Sequence, residues 1–201
     1  MPSKPNPARP VEAIEWHRRR LPLTRAAFDA LSAKAKQQAF TVSGAATLQL
    51  VVDVQDAIAR ALRDGTGLDE FKAAVEQSLT AAWVGTPTDP ATRLETIFRT
   101  TTQSAYNAGR YEQATEPDTA AVRPFWQFDA VVDGRTTSGC KQANGTVLPS
   151  DDPWWSRNVP PRHFNCRATF HPLRKSQAER IGITTRPPSV TAEEGFGQPP
   201  T

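Results

Sequence analysis

The sequence predicts an α+β protein: an N-terminal helical bundle, then a small loop-rich β unit, with disordered termini. Three observations carry that expectation. No proline occurs from Leu23 to Thr86, and proline breaks helix interiors because it lacks a backbone donor and clashes with the preceding turn. Within that stretch apolar residues recur at helical spacing. After a short interruption at Pro87 and Pro90, prolines return at Pro117, Pro124, Pro149, Pro153, Pro160, Pro161 and Pro172, interleaved with Gly134, Gly139 and Gly145, which limits the second half to loops and short strands.

The 201 residues are 38% hydrophobic and include 18 prolines. A mean hydropathy of −0.53 reflects those prolines and the polar ends more than a missing core. One main core is therefore expected. The chain divides into a disordered arm at 1–10, a helical region at 11–116, a β and loop region at 117–175 and a flexible tail at 176–201.

Taken in order, the first element is a short basic helix from Val11 to Arg20, stopped by Pro22. Thr24 is placed to cap a helix with Phe28, Leu31, Ala35 and Ala39 on one face. After Ser43 the same spacing returns in Leu48, Val51, Gln55, Ile58 and Leu62, and Gly65 ends that helix. A third begins near Thr66, with Asp69 and Glu70 where a helix start favours negative charge, and a stripe of Leu68, Phe71, Val75, Leu79 and Ala82. After a break at Pro87, Asp89-Pro90 is a cap and first-turn pair opening a helix through Leu94, Ile97, Phe98, Ala105, Ala108 and Tyr111. Val122 to Val132 leans toward strand, followed by the Asp133-Gly134 turn. Asn144-Gly145 precedes Val147-Leu148, and Ala168 to Phe170 suits a final short strand, giving a three-stranded unit docked on the helices.

The net charge of +3 conceals a division: residues 1–25 carry +4, residues 26–119 carry −4, residues 120–175 carry +4, and the rest carry −1. Basic ends around an acidic middle are compatible with an anionic partner, but a dedicated DNA-binding domain is usually more basic. Arg18, Arg19 and Arg20, beside Trp16 and His17, are candidates for contact with DNA phosphates, but a solvated basic helix face is the more ordinary account of them. No apolar run is long enough to span a bilayer, and the first thirty residues hold no apolar export segment, so no membrane partner is expected. Two cysteines, Cys140 and Cys166, do not make a disulfide framework and fit a reducing compartment.

The densest chemistry lies between Asp133 and Leu173. His163 and Cys166 form an HxxC pair on one tight loop, and Cys140 could join them from the other side of the unit. Two sulfurs and one imidazole are a soft, zinc-like donor set whose fourth ligand is unknown; Asp133, Asp151, Asp152 and His171 are candidates. A buried pair of free cysteines, or a Cys140–Cys166 disulfide, accounts for the same residues. Trp154-Trp155 could anchor a partner, yet a meagre β core also needs such rings as filling. Arg135 and Arg167 are expected to pair with Asp133 and Asp152 and brace the loops.

This stretch resembles the phage head morphogenesis family, the Mu F-like minor head proteins. The likeness is carried, in order, by Asp133, Arg135, Thr136, Cys140, Gly145, Asp152, Trp155, Pro160, Pro161, His163, Asn165, Cys166 and Arg167. Upstream, Ile97 to Thr100, Tyr106 to Arg110, Ala39-Phe40 and Glu70-Phe71 are similar to the family's pattern, so the resemblance runs from about Val11 to Leu173. One departure stands out: family members often end in Cys-Arg-Cys, whereas this chain has Cys166-Arg167-Ala168, so one potential ligand is missing. The resemblance implies a noncatalytic minor head protein acting in capsid assembly near the portal, and in DNA packaging or ejection. It implies portal protein, scaffold or major capsid protein and packaged DNA as partners, the head interior as location, and the host cytoplasm during assembly. The competing expectation is a metal-dependent nuclease or toxin-like effector using His163, Asn165 and an acidic residue.

Overall fold

A computed structural model of the chain describes residues 10–42, 45, 47–82 and 89–200. The arm expected at 1–10 lies outside the described residues except for Pro10, as do Ser43, Pro87 and the side chains of Leu79 and Ala82. The chain divides into two compact units, one ending at Gly109 and one running from Arg110 to Pro200.

The first unit contains α1 (Val11–Arg19), β1 (Leu21–Pro22), α2 (Arg25–Asp29), α3 (Ala33–Gln37), β2 (Ala39–Phe40), α4 (Leu48–Asp64), α5 (Leu68–Ala82) and most of α6 (Pro90–Thr115). Its principal helices follow their caps. The Leu50 N–H donates to Thr47 Oγ1 at 3.2 Å at the start of α4, and Gly65 closes the helix at φ 70°, a conformation glycine adopts without a Cβ penalty. Asp89 accepts from the Thr92 N–H at 3.0 Å at the start of α6. The apolar stripe of α4 (Leu50, Val51, Val54, Ile58, Leu62) packs with Phe71 and Val75 of α5 and Leu94 and Ala105 of α6.

One helix expected after Thr24 is in fact two. Thr24 caps α2, but Ser32 accepts from the Ala35 N–H at 3.3 Å and starts a separate α3. A second N-cap within the run ends the continuous helix, because its extended backbone interrupts the hydrogen-bond ladder. Ala39, expected on the same helical face, instead lies in β2, which pairs in parallel with β1.

The second unit contains α7 (Pro117–Val122), β3 (Phe125–Asp129), α8 (Ser138–Ala143), β4 (Val147–Pro149), a 3-10 turn at Pro153–Arg157, β5 (Thr169–Leu173) and α9 (Lys175–Ile181). The three strands form an antiparallel sheet in the order β4-β3-β5, with Trp126 opposite Leu148 and Pro172 and Phe128 opposite Phe170. Side chains alternate across a strand, so Trp126 and Phe128 enter the core together. There they meet Trp155, Phe170, Cys140 and Cys166. Trp155 does fill this core, and its Nε1–H donates to the Pro149 carbonyl at 3.1 Å. The strand expected from Val122 to Val132 is limited to β3: Val122 ends α7, and Val131 and Val132 are exposed loop residues.

The residues after Lys175 differ from the flexible tail expected of their composition. They form α9 and then run back along the unit, where the Thr184 N–H donates to the Val147 carbonyl at 2.8 Å and Gly197 exchanges backbone bonds with Val159 and Pro161 at 2.9 and 3.1 Å. These bonds satisfy donors and acceptors that the short β4 and the following loop leave open.

Candidate functional site

The Asp133–Leu173 segment is organised around one cluster of side chains. Thr137 caps α8 by accepting from the Cys140 N–H at 3.4 Å, which turns the first thiol inward. Past Pro160-Pro161, a cis pair, the chain makes a tight turn in which the Cys166 N–H donates to the His163 carbonyl at 3.3 Å. Asn165 supports this turn at φ 56°, a left-handed conformation that asparagine tolerates better than most residues. Cys140 Sγ then lies 3.3 Å from His163 Nε2 and 3.9 Å from Cys166 Sγ. His163 also meets the Thr137 hydroxyl through Nε2 at 3.2 Å and the Phe164 carbonyl through Nδ1 at 2.7 Å.

Both thiols are free and buried. Each thiol shifts the other. The hydrogen bond from Cys166, reinforced by Thr137 and His163, pulls the Cys140 thiol below its ordinary pKa. Donation to Cys140, together with burial, pushes Cys166 up, while backbone bonds at Arg162 and Ala168 work in the other direction. The two shifts run in opposite directions because the shared hydrogen bond favours the charged form of one sulfur and the neutral form of the other.

Around the cluster lies a shallow depression lined by Ala130, Arg135, Thr136, His163, Arg167 and Ala168. Asp133 and Arg167 close one side through a two-pronged ion pair with contacts of 2.6 and 2.7 Å. Arg167, the Arg135 N–H and the Thr136 hydroxyl hold the Asp133 carboxyl well below the usual carboxylate range.

Residues 52–171, more than half of the chain, match the sequence family described as Phage Mu protein F like protein. The matched region takes in the whole thiol and imidazole cluster. This chain belongs to the phage Mu protein F-like family. It is 30% identical over 169 residues to the "Putative capsid assembly protein F" of Escherichia phage Mu, covering 75% of this chain and 37% of the relative. It is also 30% identical over 159 residues to the "Mu-like prophage FluMu F protein" of Haemophilus influenzae, covering 74% of this chain and 38% of that relative. The chain thus spans little more than a third of the length of these curated relatives. No solved structure matches it.

In this F-like chain the remaining motif residues have separate places. Gly145 turns the chain at φ 80° and its N–H donates to the Phe128 carbonyl at 2.9 Å. Asp152 does not join an ion pair beside Arg135 and Arg167 as expected; it caps the 3-10 turn by accepting from the Trp154 N–H at 2.8 Å. Asp151 is exposed, and His171 is engaged by Asp129 at 3.0 Å and by Arg110 at 3.3 Å. Among the described residues, the only grouping of three or more histidine, cysteine or acidic side chains close enough to share an ion is Cys140, His163 and Cys166.

The basic triad of the first unit is split. Arg18 and Arg19 are exposed on α1, whereas Arg20, where the backbone becomes extended, turns its guanidinium over the rings of Trp16 and Phe40 at 5.0 and 5.6 Å. Burial lowers its pKa to about 10. Arg20 is a packing residue in this geometry, a consequence of its planar, weakly hydrated head. Two residues of the cluster escaped sequence reasoning. Thr137 carried a readable signal, since threonine three residues before Cys140 fits a helix cap. Arg162, buried against Gly139 and Phe128, carried none, because its partners are a backbone carbonyl and a ring far away in sequence.

Proposed function

We propose that this chain is a noncatalytic component of a phage head that acts in head assembly, contacting portal protein, scaffold or major capsid protein. The observation that supports this reading best is membership of the F-like family over residues 52–171, together with a relative named as a capsid assembly protein. The geometry is in keeping with it. The two thiols, Cys140 and Cys166, are buried and tie α8 to the His163 loop, as a brace would. The exposed Arg18 and Arg19 give the first unit a small basic surface for packaged DNA, held through its phosphates without regard to sequence. Among the described residues no helix is long and apolar enough to cross a membrane. The protein then works in the host cytoplasm during assembly and resides in the head interior.

The test is sedimentation of lysates in which portal, scaffold and major capsid proteins are made with and without this chain. The expected result is its recovery with proheads and DNA-filled heads, and a fall in the yield of filled heads when it is omitted. Recovery only in the unassembled fraction, with normal head yield, overturns the proposal.

A further inference from the structure

We infer that Cys140, His163 and Cys166 form a binding site for a thiophilic divalent cation of the zinc class, with the fourth position taken by water on the side of the shallow depression. Four observations carry it, none of which depends on the assembly role. The three donor atoms lie within 4.8 Å of one another although they come from α8 and from a loop 23 and 26 residues further on. A tetrahedral ion with bonds of about 2.3 Å to sulfur and about 2.0 Å to nitrogen sets sulfur–sulfur edges of roughly 3.8 Å and sulfur–nitrogen edges of roughly 3.5 Å. The observed contacts of 3.9 and 3.3 Å are close to both.

The second observation is the histidine tautomer. Nδ1 sits 2.7 Å from the Phe164 carbonyl and must carry the proton there, which leaves the Nε2 lone pair directed at the sulfurs. Ligating histidines are fixed in this way by an outer partner on the other nitrogen. Third, neither thiol is tied up in a disulfide, and both are buried on the inner side of the cluster, so both sulfurs are available to one ion. Fourth, the other candidate ligands are committed elsewhere: Asp133 to Arg167, Asp152 to the 3-10 turn, and His171 to Asp129. Three protein donors beside a depression leave one position for solvent. Binding releases the thiol protons, and two thiolates neutralise the dication.

The test is anaerobic titration of the reduced full chain with Co²⁺, followed by absorbance. The expected result is saturation at one ion per chain, with a near-ultraviolet sulfur-to-metal band and the visible bands of a tetrahedral site, all displaced by Zn²⁺. Cys140→Ser and Cys166→Ser should each remove about half of the sulfur band, and His163→Gln should keep that band while weakening affinity about tenfold or more. A parent protein without a sulfur-to-metal band overturns the inference, as does a band that survives both serine variants unchanged. Circular dichroism checks that the variants fold. If a variant does not, the parent decides: equimolar Zn²⁺ should protect both thiols from a disulfide reagent and block their oxidation to a Cys140–Cys166 disulfide. Thiols that react or oxidise at the same rate with and without Zn²⁺ refute the site.

Discussion

The Arg162 guanidinium donates from Nη1 to the carbonyl oxygen of Gly139 at 2.7 Å while lying 5.7 Å from the ring centre of Phe128. One buried cation thereby fastens α8 to the loop that carries His163. Arg162→Met keeps the apolar stem but leaves the Gly139 carbonyl without its charged donor, and such a bond contributes about 2 kcal/mol. The expected result is a drop of roughly 10 °C in the melting of the second unit, read by fluorescence of its tryptophan core. Arg162→Lys should recover little of the loss, since an ammonium has no plane to lay over the ring. A melting curve that does not move in either variant would show that the contact contributes nothing to stability.

His17 makes the first unit sensitive to acid. It is fully buried, its Nε2 faces the Gln55 carbonyl at 3.0 Å, and the Gln55 amide returns a bond to the His17 carbonyl at 3.1 Å. Burial, followed by the nearby Arg20 and Arg18 charges and offset in part by the Gln55 bond, lowers its pKa from 6.5 to about 4. The unfolded chain therefore binds more protons between those values, so stability is complete above pH 6.5 and is lost as the pH falls toward 4. The difference corresponds to about 3 kcal/mol. Urea unfolding followed by helical circular dichroism should show this slope in the parent and a flatter one in His17→Gln. Equal slopes would place the acid sensitivity elsewhere.

Gly109 marks a close approach between α6 and α1. A Cβ there would stand 2.8 Å from the Ala13 nitrogen, 3.2 Å from its Cα and 3.3 Å from the Glu12 carbonyl carbon. These are backbone atoms, which cannot rotate aside as a side chain can. Alanine is the better helix former by about 1 kcal/mol, so Gly109→Ala would stabilise an isolated helix. Here overpacking should outweigh propensity and cost a net 1 to 2 kcal/mol, roughly, in denaturant unfolding. A stabilised variant would mean that the helices separate without penalty.

How much was legible in the sequence depends on whether the signal is local. The long helices α4 and α6 announce themselves through Gly65, Asp89 and their apolar period, all readable within one or two turns, whereas the Thr47 cap emerges only in the structure. The β1–β2 pair was not readable, because two residues at Leu21 and two at Ala39 become a strand only by finding each other. The candidate site shows the same division. His163 and Cys166 share a loop, so their closeness follows from spacing. Cys140 arrives from α8, and nothing in the intervening 22 residues states that it must. Arg20 shows the opposite error: a run of three arginines reads as one surface until the backbone leaves the helix and turns the last of them inward.

The C-terminal segment was illegible for a further reason, and it offers the sharpest stability test. Its bonds to the rest of the second unit are largely made by backbone, which leaves no pattern in side chains. Sheet order makes β4 an edge strand, and Thr184 covers it from both sides of Val147: the Thr184 N–H donates to the Val147 carbonyl at 2.8 Å, and the Val147 N–H donates to Thr184 Oγ1 at 3.0 Å. Further on, Trp154 Nε1–H reaches the Pro188 carbonyl at 3.0 Å, and the Val159 N–H donates to Gly197 at 2.9 Å. Gly197 holds φ 79°, and a Cβ at that position would run into the Arg157 carbonyl oxygen and Ala192. Ending the chain at Gly182 should therefore expose an unpaired strand edge and promote association between copies, since open edges template pairing. The same truncation should speed amide exchange at Val147 and Val159, and Gly197→Val should speed exchange at Val159 while sparing Val147. If exchange at both amides is unchanged in the truncated chain, the segment does not cover the edge in solution and the composition-based expectation of a flexible tail is the correct one.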